Sequence, residues 1–310
     1  MIRPTVLVVA AGVAAALSGP ALAATAFGLS LDGQRLVSFD TGAVQTILAN
    51  NAIAGLNSGE SLLAIDARPA TGELFALSNQ SRLFRVGTNG AATLVPLSGT
   101  AIPALNGAVG MDFNPAVDRI RVVTSTGQNL RLNPVTGALA ADDGATFGAI
   151  RYDAADPSAG LPPRITSVAY TNSPIGGPAP GATGTTLYGI DVQGQFDRRL
   201  VTQGSINSTP VSPNEPRLIG VAGIFGIFVG DLFGFDILTV GGVNSAFLSG
   251  QTISGGTAFY TLDLATGSTV FQGNIGNGLV GVRDFTVVPA PAGAAALGLG
   301  GILAMRRRRD

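Results

Sequence analysis

The chain has no histidine, cysteine, tryptophan or lysine among its 310 residues, so all 18 basic residues are arginine. Without His or Cys it cannot build a Ser-His-Asp triad, a thiolate nucleophile or a zinc site of imidazole and sulfur ligands. Without Lys it forms no Schiff base and no Walker-type phosphate loop. A folded body must stand without disulfides, and the strongest aromatic for stacking on sugars is missing. Charge is scarce as well, at 12% of residues. What survives is carboxylate chemistry, cations held through oxygen, or binding without chemistry. Against these absences stands a 46% hydrophobic content, ample for a core. Its 44 Gly and 18 Pro make a fifth of the chain, short of the low-complexity range.

Both ends read as address labels. Met1-Ile2-Arg3, an apolar run from Val6 to Leu17, a breaker at Ser18-Gly19-Pro20 and the small residues Ala21-Leu22-Ala23 have the three parts of a secretory signal peptide. Twelve apolar residues reach about 18 Å as a helix. A hydrocarbon core is about 30 Å thick, which argues against a spanning anchor. Residues 1–23 are expected to be a leader cut near Ala23, and residues 24–289 the exported domain.

The C-terminal segment, residues 290–310, follows Val288-Pro289-Ala290-Pro291-Ala292 with a Gly/Ala/Leu stretch to Met305 and then Arg306 to Arg309. A breaker, a short apolar helix and an Arg cluster resemble the PEP-CTERM sorting tail of exported Gram-negative proteins, with Val-Pro-Ala-Pro-Ala in place of Val-Pro-Glu-Pro. The resemblance implies an exosortase-type processing enzyme as partner, transient membrane association through the tail, and a destination at the cell envelope, the surface or outside the cell. The lengths agree. The 14 residues from Ala292 to Met305 make about 21 Å of helix, short for a permanent span, with the Arg run marking the cytoplasmic side. Between the labels 13 Arg face 18 acidic residues, so the body carries no electrostatic footprint for nucleic acid.

One turn recurs through the body, an apolar residue followed by Asp or Asn and then Gly. It occurs at Phe39-Asp40-Thr41-Gly42, Val86 to Gly90, Leu132 to Gly137, Ile190 to Gly194 and Leu262 to Gly267. Short apolar or alternating runs flank each copy, as in β-hairpins. A second element precedes four of them, an apolar strand at Ile65-Asp66-Ala67, Met111-Asp112-Phe113, Val168-Ala169-Tyr170 and Phe235-Asp236-Ile237. A fifth copy, Val282-Arg283-Asp284-Phe285, has no hairpin after it, and the first hairpin has no such strand before it. The two orphans complement each other, so the last strand is expected to join the N-terminal hairpin and close a ring.

Repeats near 50 residues with about four short strands each predict an all-β chain built as a β-propeller. Five blades are expected, six if Leu218 to Val229 supplies strands of its own. An irregular β-sandwich or a β-helix is the alternative architecture. The stretches Gly59 to Gly72, Asp112 to Pro115 and Val117 to Pro134 are similar to the domain-of-unknown-function 4394 family, and the likeness covers roughly residues 26 to 287. That family consists of exported bacterial proteins of unassigned activity. The resemblance implies architecture and compartment and brings no catalytic residue with it.

Candidate chemistry rests on two groups. Asp66, Asp112, Asp236 and Asp284 sit at matching places in four of the five expected inner strands, with Ala169 in the fifth. A ring of carboxylates near a propeller axis suits Ca²⁺, which takes six to eight oxygen ligands. Equally, each Asp can accept hydrogen bonds from the next blade and lock the ring. Arg119 and Arg121 share one strand face, with Arg131 across a hairpin. These three can clamp a carboxylate or an anionic sugar, or pair with Asp112 and Asp118. Asp142, Asp143, Asp153 and Asp156 lack the regular spacing of a Ca²⁺ loop and read as a solvated acidic connection. The only glutamates, Glu60, Glu73 and Glu215, show no sign of a facing glycosidase pair.

Two function classes follow. The first is a non-enzymatic exported interaction module at the cell surface or in the extracellular matrix, with exopolysaccharide or surface proteins as partners and no cofactor. The second is a carboxylate- and Ca²⁺-dependent hydrolase or lactonase of the propeller type. Asymmetry separates them, since packing preserves a repeat and a site breaks it.

Overall fold

The computed structural model describes residues 24–140, 149–177, 184–194, 197–215, 217–224 and 230–290. The expected leader, most of the sorting tail, Asp142 and Asp143 lie outside these residues.

The described chain is a five-bladed β-propeller of small sheets, antiparallel but for one pair. Blade 1 contains β1 (Ala24–Ser30), β2 (Arg35–Asp40) and β3 (Ile47–Ala52). Blade 2 is β4 (Leu62–Ala67), β5 (Leu74–Ser78), β6 (Leu83–Val86) and β7 (Ala92–Leu94). Blade 3 is β8 (Val109–Asn114), β9 (Arg119–Thr124) and β10 (Asn129–Leu132). Blade 4 runs β12 (Ile165–Tyr170), β13 (Leu187–Val192), β14 (Arg198–Gln203) and β15 (Arg217–Ile224), with β11 (Arg151–Tyr152) parallel to β15 at its edge. Blade 5 is β16 (Phe233–Val240), β17 (Val243–Gln251), β18 (Thr257–Leu262) and β19 (Thr269–Asn274).

The last strand, β20 (Val282–Pro289), is the inner strand of blade 1. It pairs with β1 from Ala24↔Pro289 to Ser30↔Val282, so the two orphans close the ring as expected. Inner strands β4, β8, β12, β16 and β20 neighbour one another in that order and return to β4. Closure is held by a buried aromatic group. The Phe259 ring lies 5.4 Å from Phe39, 5.6 Å from Phe247 and 5.3 Å from Phe285, joining blade 5 to β2 and β20 of blade 1. Burying each such side chain contributes about 1.5 to 3 kcal/mol. Two inner-strand glycines permit the close approach this needs. A Cβ on Gly234 would lie 2.4 Å from the Phe285 ring, and one on Gly110 would lie 2.6 Å from the Ser167 backbone.

The structure corrects the repeat in two places. The Asp/Asn-Gly turn joins the third and outer positions in blades 1, 2, 3 and 5, but Gly194 lies between β13 and β14, the second and third strands of blade 4. The equivalent turn of that blade is the longer connection before β15. The described part of the apolar run at Leu218 belongs to β15 of blade 4, and residues 225–229 lie outside the described residues. Among the described residues blade 3 has three strands, and a single bridge from Leu139 to Leu132 stands at its outer edge.

Each blade junction has its own apolar cluster. The cluster between blades 2 and 3 takes Phe75, Leu77 and Leu83 from one side and Met111, Phe113, Ile120, Val122, Leu130 and Leu132 from the other. Between blades 3 and 4, the strands of blade 3 contribute only Val123 to the cluster, which blade 4 otherwise fills.

Candidate functional site

Strand alternation sends successive side chains of an inner strand to opposite neighbours. On β8, Met111 and Phe113 turn toward blade 2, and Asp112 turns the other way. Around the axis this produces a relay in which each carboxylate accepts a backbone N–H from the next inner strand. Phe113 N donates to Asp66 Oδ2 at 2.7 Å, Tyr170 N to Asp112 Oδ1 at 3.0 Å, Val287 N to Asp236 Oδ2 at 2.5 Å and Ile65 N to Asp284 Oδ2 at 2.8 Å. Asp66 and Asp236 also accept from the N–H of the residue after each, Ala67 and Ile237.

The donors show that Asp284 does not sit level with the other three. Asp66 and Asp112 each receive the N–H of the residue after the next ring position, and Asp236 receives that of Val287, the residue after Thr286. Thr286 in turn accepts from Ala67 N at 3.2 Å, and its hydroxyl lies 3.0 Å from Asp66 Oδ1 and 3.1 Å from Asp236 Oδ2. The ring therefore reads Asp66, Asp112, Ala169, Asp236 and Thr286. Asp284 lies two residues away along β20, about 7 Å. Matching Asp-Phe in Asp284-Phe285 and Asp112-Phe113 concealed that shift.

Asp66, Asp112 and Asp236 each bring a carboxylate oxygen within 4.8 Å of the others. All four aspartates are buried. Burial, reinforced by the Asp236 charge, holds Asp66 well above the usual carboxylate range. Burial and the charges of Asp66 and Asp236 do the same to Asp112. Burial also raises Asp284 and takes Asp236 to about 6. As a cation site the set is poorly supplied. Both oxygens of Asp66 and of Asp236 already accept hydrogen bonds, and one hydroxyl adds little toward the six to eight ligands of Ca²⁺. Two arginines close in sequence to these aspartates, Arg68 and Arg283, bond elsewhere. Arg68 forms two hydrogen bonds with Asp118, and Arg283 donates to the Leu31 carbonyl at 3.4 Å.

Asp118 forms an ion pair with Arg68 of blade 2. Arg119 Nη1 donates to the Val117 and Asp118 carbonyls at 3.4 and 3.2 Å on the rim of the blade. Arg121 and Arg131 lie inside, 2% and 6% exposed, directly opposite each other across β9 and β10. Arg121 donates from Nη1 to Asn129 Oδ1 at 2.8 Å and from Nη2 to Asn214 Oδ1 at 2.6 Å, with Nε 3.4 Å from the Tyr170 hydroxyl. The structure thus brings Arg121 and Arg131 together and leaves Arg119 apart.

No motif in the sequence marks Asn129, Asn214 and Tyr170 as partners of Arg121. A signal existed in the second strands. The residues paired with the five ring positions are Phe27, Phe75, Arg121, Tyr188 and Phe247, four aromatics and one guanidinium.

Elsewhere the acidic residues have structural partners. Glu60 is buried with Arg82 Nε at 2.9 Å, Ser78 Oγ at 2.6 Å and Asn57 N at 3.0 Å. Burial would raise its carboxyl, but these bonds outweigh it and hold the group at about 2. Tyr152 and Arg164 N both donate to Asp191. Asp153 and Asp156 accept from Ala155 N and Ser158 N in local turns.

The model of the family described as domain of unknown function DUF4394 matches residues 35–286, and the chain belongs to that family. No curated protein matches its sequence. Among solved structures, the chain is similar to one in the nidogen–laminin complex at 10% identity and TM-score 0.44, covering 86% of this chain and 98% of that one. TolB from Acinetobacter baumannii is similar at 11% identity and TM-score 0.42, covering 86% and 67%. The Dos1 propeller follows at 13% identity and TM-score 0.38, covering 80% and 58%. At these scores nothing beyond shape is carried over.

Proposed function

We propose that this chain is a non-enzymatic exported propeller that serves as an interaction module at the cell surface or in the extracellular matrix. One observation carries the reading. The carboxylates nearest the axis are committed to backbone N–H groups of neighbouring inner strands. They act as blade locks. The leader and the tail support export, with an exosortase-type enzyme as processing partner and exopolysaccharide or surface proteins as the molecules met outside. Intact masses of the surface-exposed form should lack residues 1–23 and the tail. A final product that still carries residues 292–310 would make the tail an anchor instead.

The second reading, a carboxylate- and Ca²⁺-dependent hydrolase or lactonase, draws on the three oxygens gathered within 4.8 Å. Incubating the purified exported chain with a panel of sugars, lactones and esters, with and without Ca²⁺, separates the two. The module reading expects no turnover. Reproducible turnover lost on Asp66→Asn or Asp112→Asn would replace it by the hydrolase.

A further inference from the structure

We propose that the mouth of the ring from which both chain ends leave is a membrane-facing surface, and that its partner is a lipid bilayer met before the tail is removed. The proposal rests on the membrane association of the tail and adds the face on which the propeller sits.

The first ground is where the chain leaves the body. β1 starts at Ala24, directly after the expected leader, and β20 ends at Pro289. Ala24 and Pro289 are partners at the end of the closing pair, which puts their Cα atoms about 5 Å apart. Only Ala290 and Pro291 separate Pro289 from the apolar stretch that starts at Ala292. Two residues reach about 7 Å at most. With that stretch in a bilayer, this mouth has no room to stand off from the surface. The charges fit a single membrane side. Arg3 opens the leader and Arg306 to Arg309 close the tail, and basic residues stay on the cytoplasmic side. The leader therefore emerges on the outer side where the tail goes back in, as the pairing of Ala24 with Pro289 requires.

The second ground is what this mouth presents. Inner strands β4 and β20 run in the same direction, since Ile65 N donates to Asp284 and Ala67 N to Thr286. Turns that leave the inner strands share the face of Pro289, and so do the turns from third to outer strands. They carry exposed aliphatic side chains in three adjoining blades. In blade 3, Val117 is 49% exposed between β8 and β9, and Val135 is 61% exposed after β10. Ile206 is 56% exposed after β14 of blade 4, and Val243 is 64% exposed where β17 begins in blade 5. Gly241 and Gly242, both at positive φ, turn the chain between β16 and β17 so tightly that Val243 stands at the hairpin tip. Single exposed aliphatics are ordinary on a protein surface, and Ile253 and Leu279 stand at the opposite mouth. It is the chain exit that distinguishes the two mouths. On a face held this close to lipid, the aliphatic tips are placed to enter the boundary between headgroups and acyl chains.

The chain has no cysteine, so one introduced cysteine carries a fluorescent label without background. The test uses residues 24–310 labelled at Val117→Cys, Val135→Cys, Ile206→Cys or Val243→Cys, with Ile253→Cys and Leu279→Cys as controls on the opposite mouth. These sites are exposed, and each variant should keep the wild-type melting temperature. The probe is a neutral phosphatidylcholine vesicle, which does not repel an acidic body, with and without a lipid-borne quencher. In the vesicle-bound chain the label should be several times more quenched at Val117, Val135, Ile206 and Val243 than at Ile253 and Leu279. Equal quenching at both mouths, or stronger quenching at Ile253 and Leu279, overturns the face alone. A chain that does not bind the vesicles overturns the face together with the membrane association of the tail. Turnover in the substrate panel would overturn the non-enzymatic reading and leave this face standing.

Discussion

Blade 3 shows a different face to each neighbour. Toward blade 2 it presents Met111, Phe113, Ile120, Val122, Leu130 and Leu132, closed against Phe75 with the Phe75 and Phe113 rings 5.4 Å apart. Toward blade 4 it presents Asp112, Arg121, Arg131 and Asn129, all buried. The same alternating strands make both faces, so the fold does not require the polar one. An apolar junction is stable for any well-packed set of side chains. A buried polar junction has to be satisfied group by group. The difference teaches where this propeller is generic and where it is specialised.

The largest effect should come from breaking the generic face. Phe113→Ala removes a fully buried ring and should lower the unfolding free energy by about 3 to 5 kcal/mol, read from urea denaturation. A loss below 1 kcal/mol would mean that this junction is not the packed one. Next comes the ring of locks. Asp66→Ala strands the N–H of Phe113, at a cost of about 1 to 3 kcal/mol. The same loss should appear in chelator and in millimolar Ca²⁺.

Acidity probes the same contrast between acids without a cationic partner and acids with one. A buried carboxyl whose folded pKa is raised holds more protons folded than unfolded. Its contribution is complete below about pH 4 and is lost as pH climbs through the folded value. For Asp236 the loss is finished a little above its value of about 6, and Asp66, Asp112 and Asp284 extend it upward. Glu60 works in the opposite sense. Its contribution is present above the ordinary Glu value and fades as pH falls toward about 2. Stability measured by urea unfolding should therefore be greatest near pH 4 to 5 and decline toward pH 8. An increase across that range would contradict the unpaired state of the ring.

Much of this was legible in the chain. Asp66, Asp112 and Asp236 stood out because inner strands repeat, and ring closure followed from one strand and one hairpin each lacking a partner. The position of Asp284 was not legible. Register is set by which backbone N–H meets which carbonyl on β1, and a two-residue slide keeps every side chain on its own face. Thr286 carried no acidic signature to draw notice. The pairing of Arg68 with Asp118 joins residues 50 apart in two blades, and only the closed ring brings them together. Gly194 misled because the same Asp-x-x-Gly chemistry serves any hairpin, whichever two strands it joins. The place of Arg121 needed the strand pairing, since only alignment through the ladder sets it against four aromatics.

The central claim is that the axial carboxylates lock blades, and Asp66→Asn tests it most directly. Asparagine keeps an oxygen for Phe113 N and carries no charge. Unfolding of wild type and variant at pH 8, in chelator and in millimolar Ca²⁺, gives the answer. If the ring is a lock, Ca²⁺ changes the stability of neither protein. A wild type that gains stability with Ca²⁺, by about 2.7 kcal/mol at a hundredfold excess over Kd, beside a variant that gains none, would make the ring a metal site.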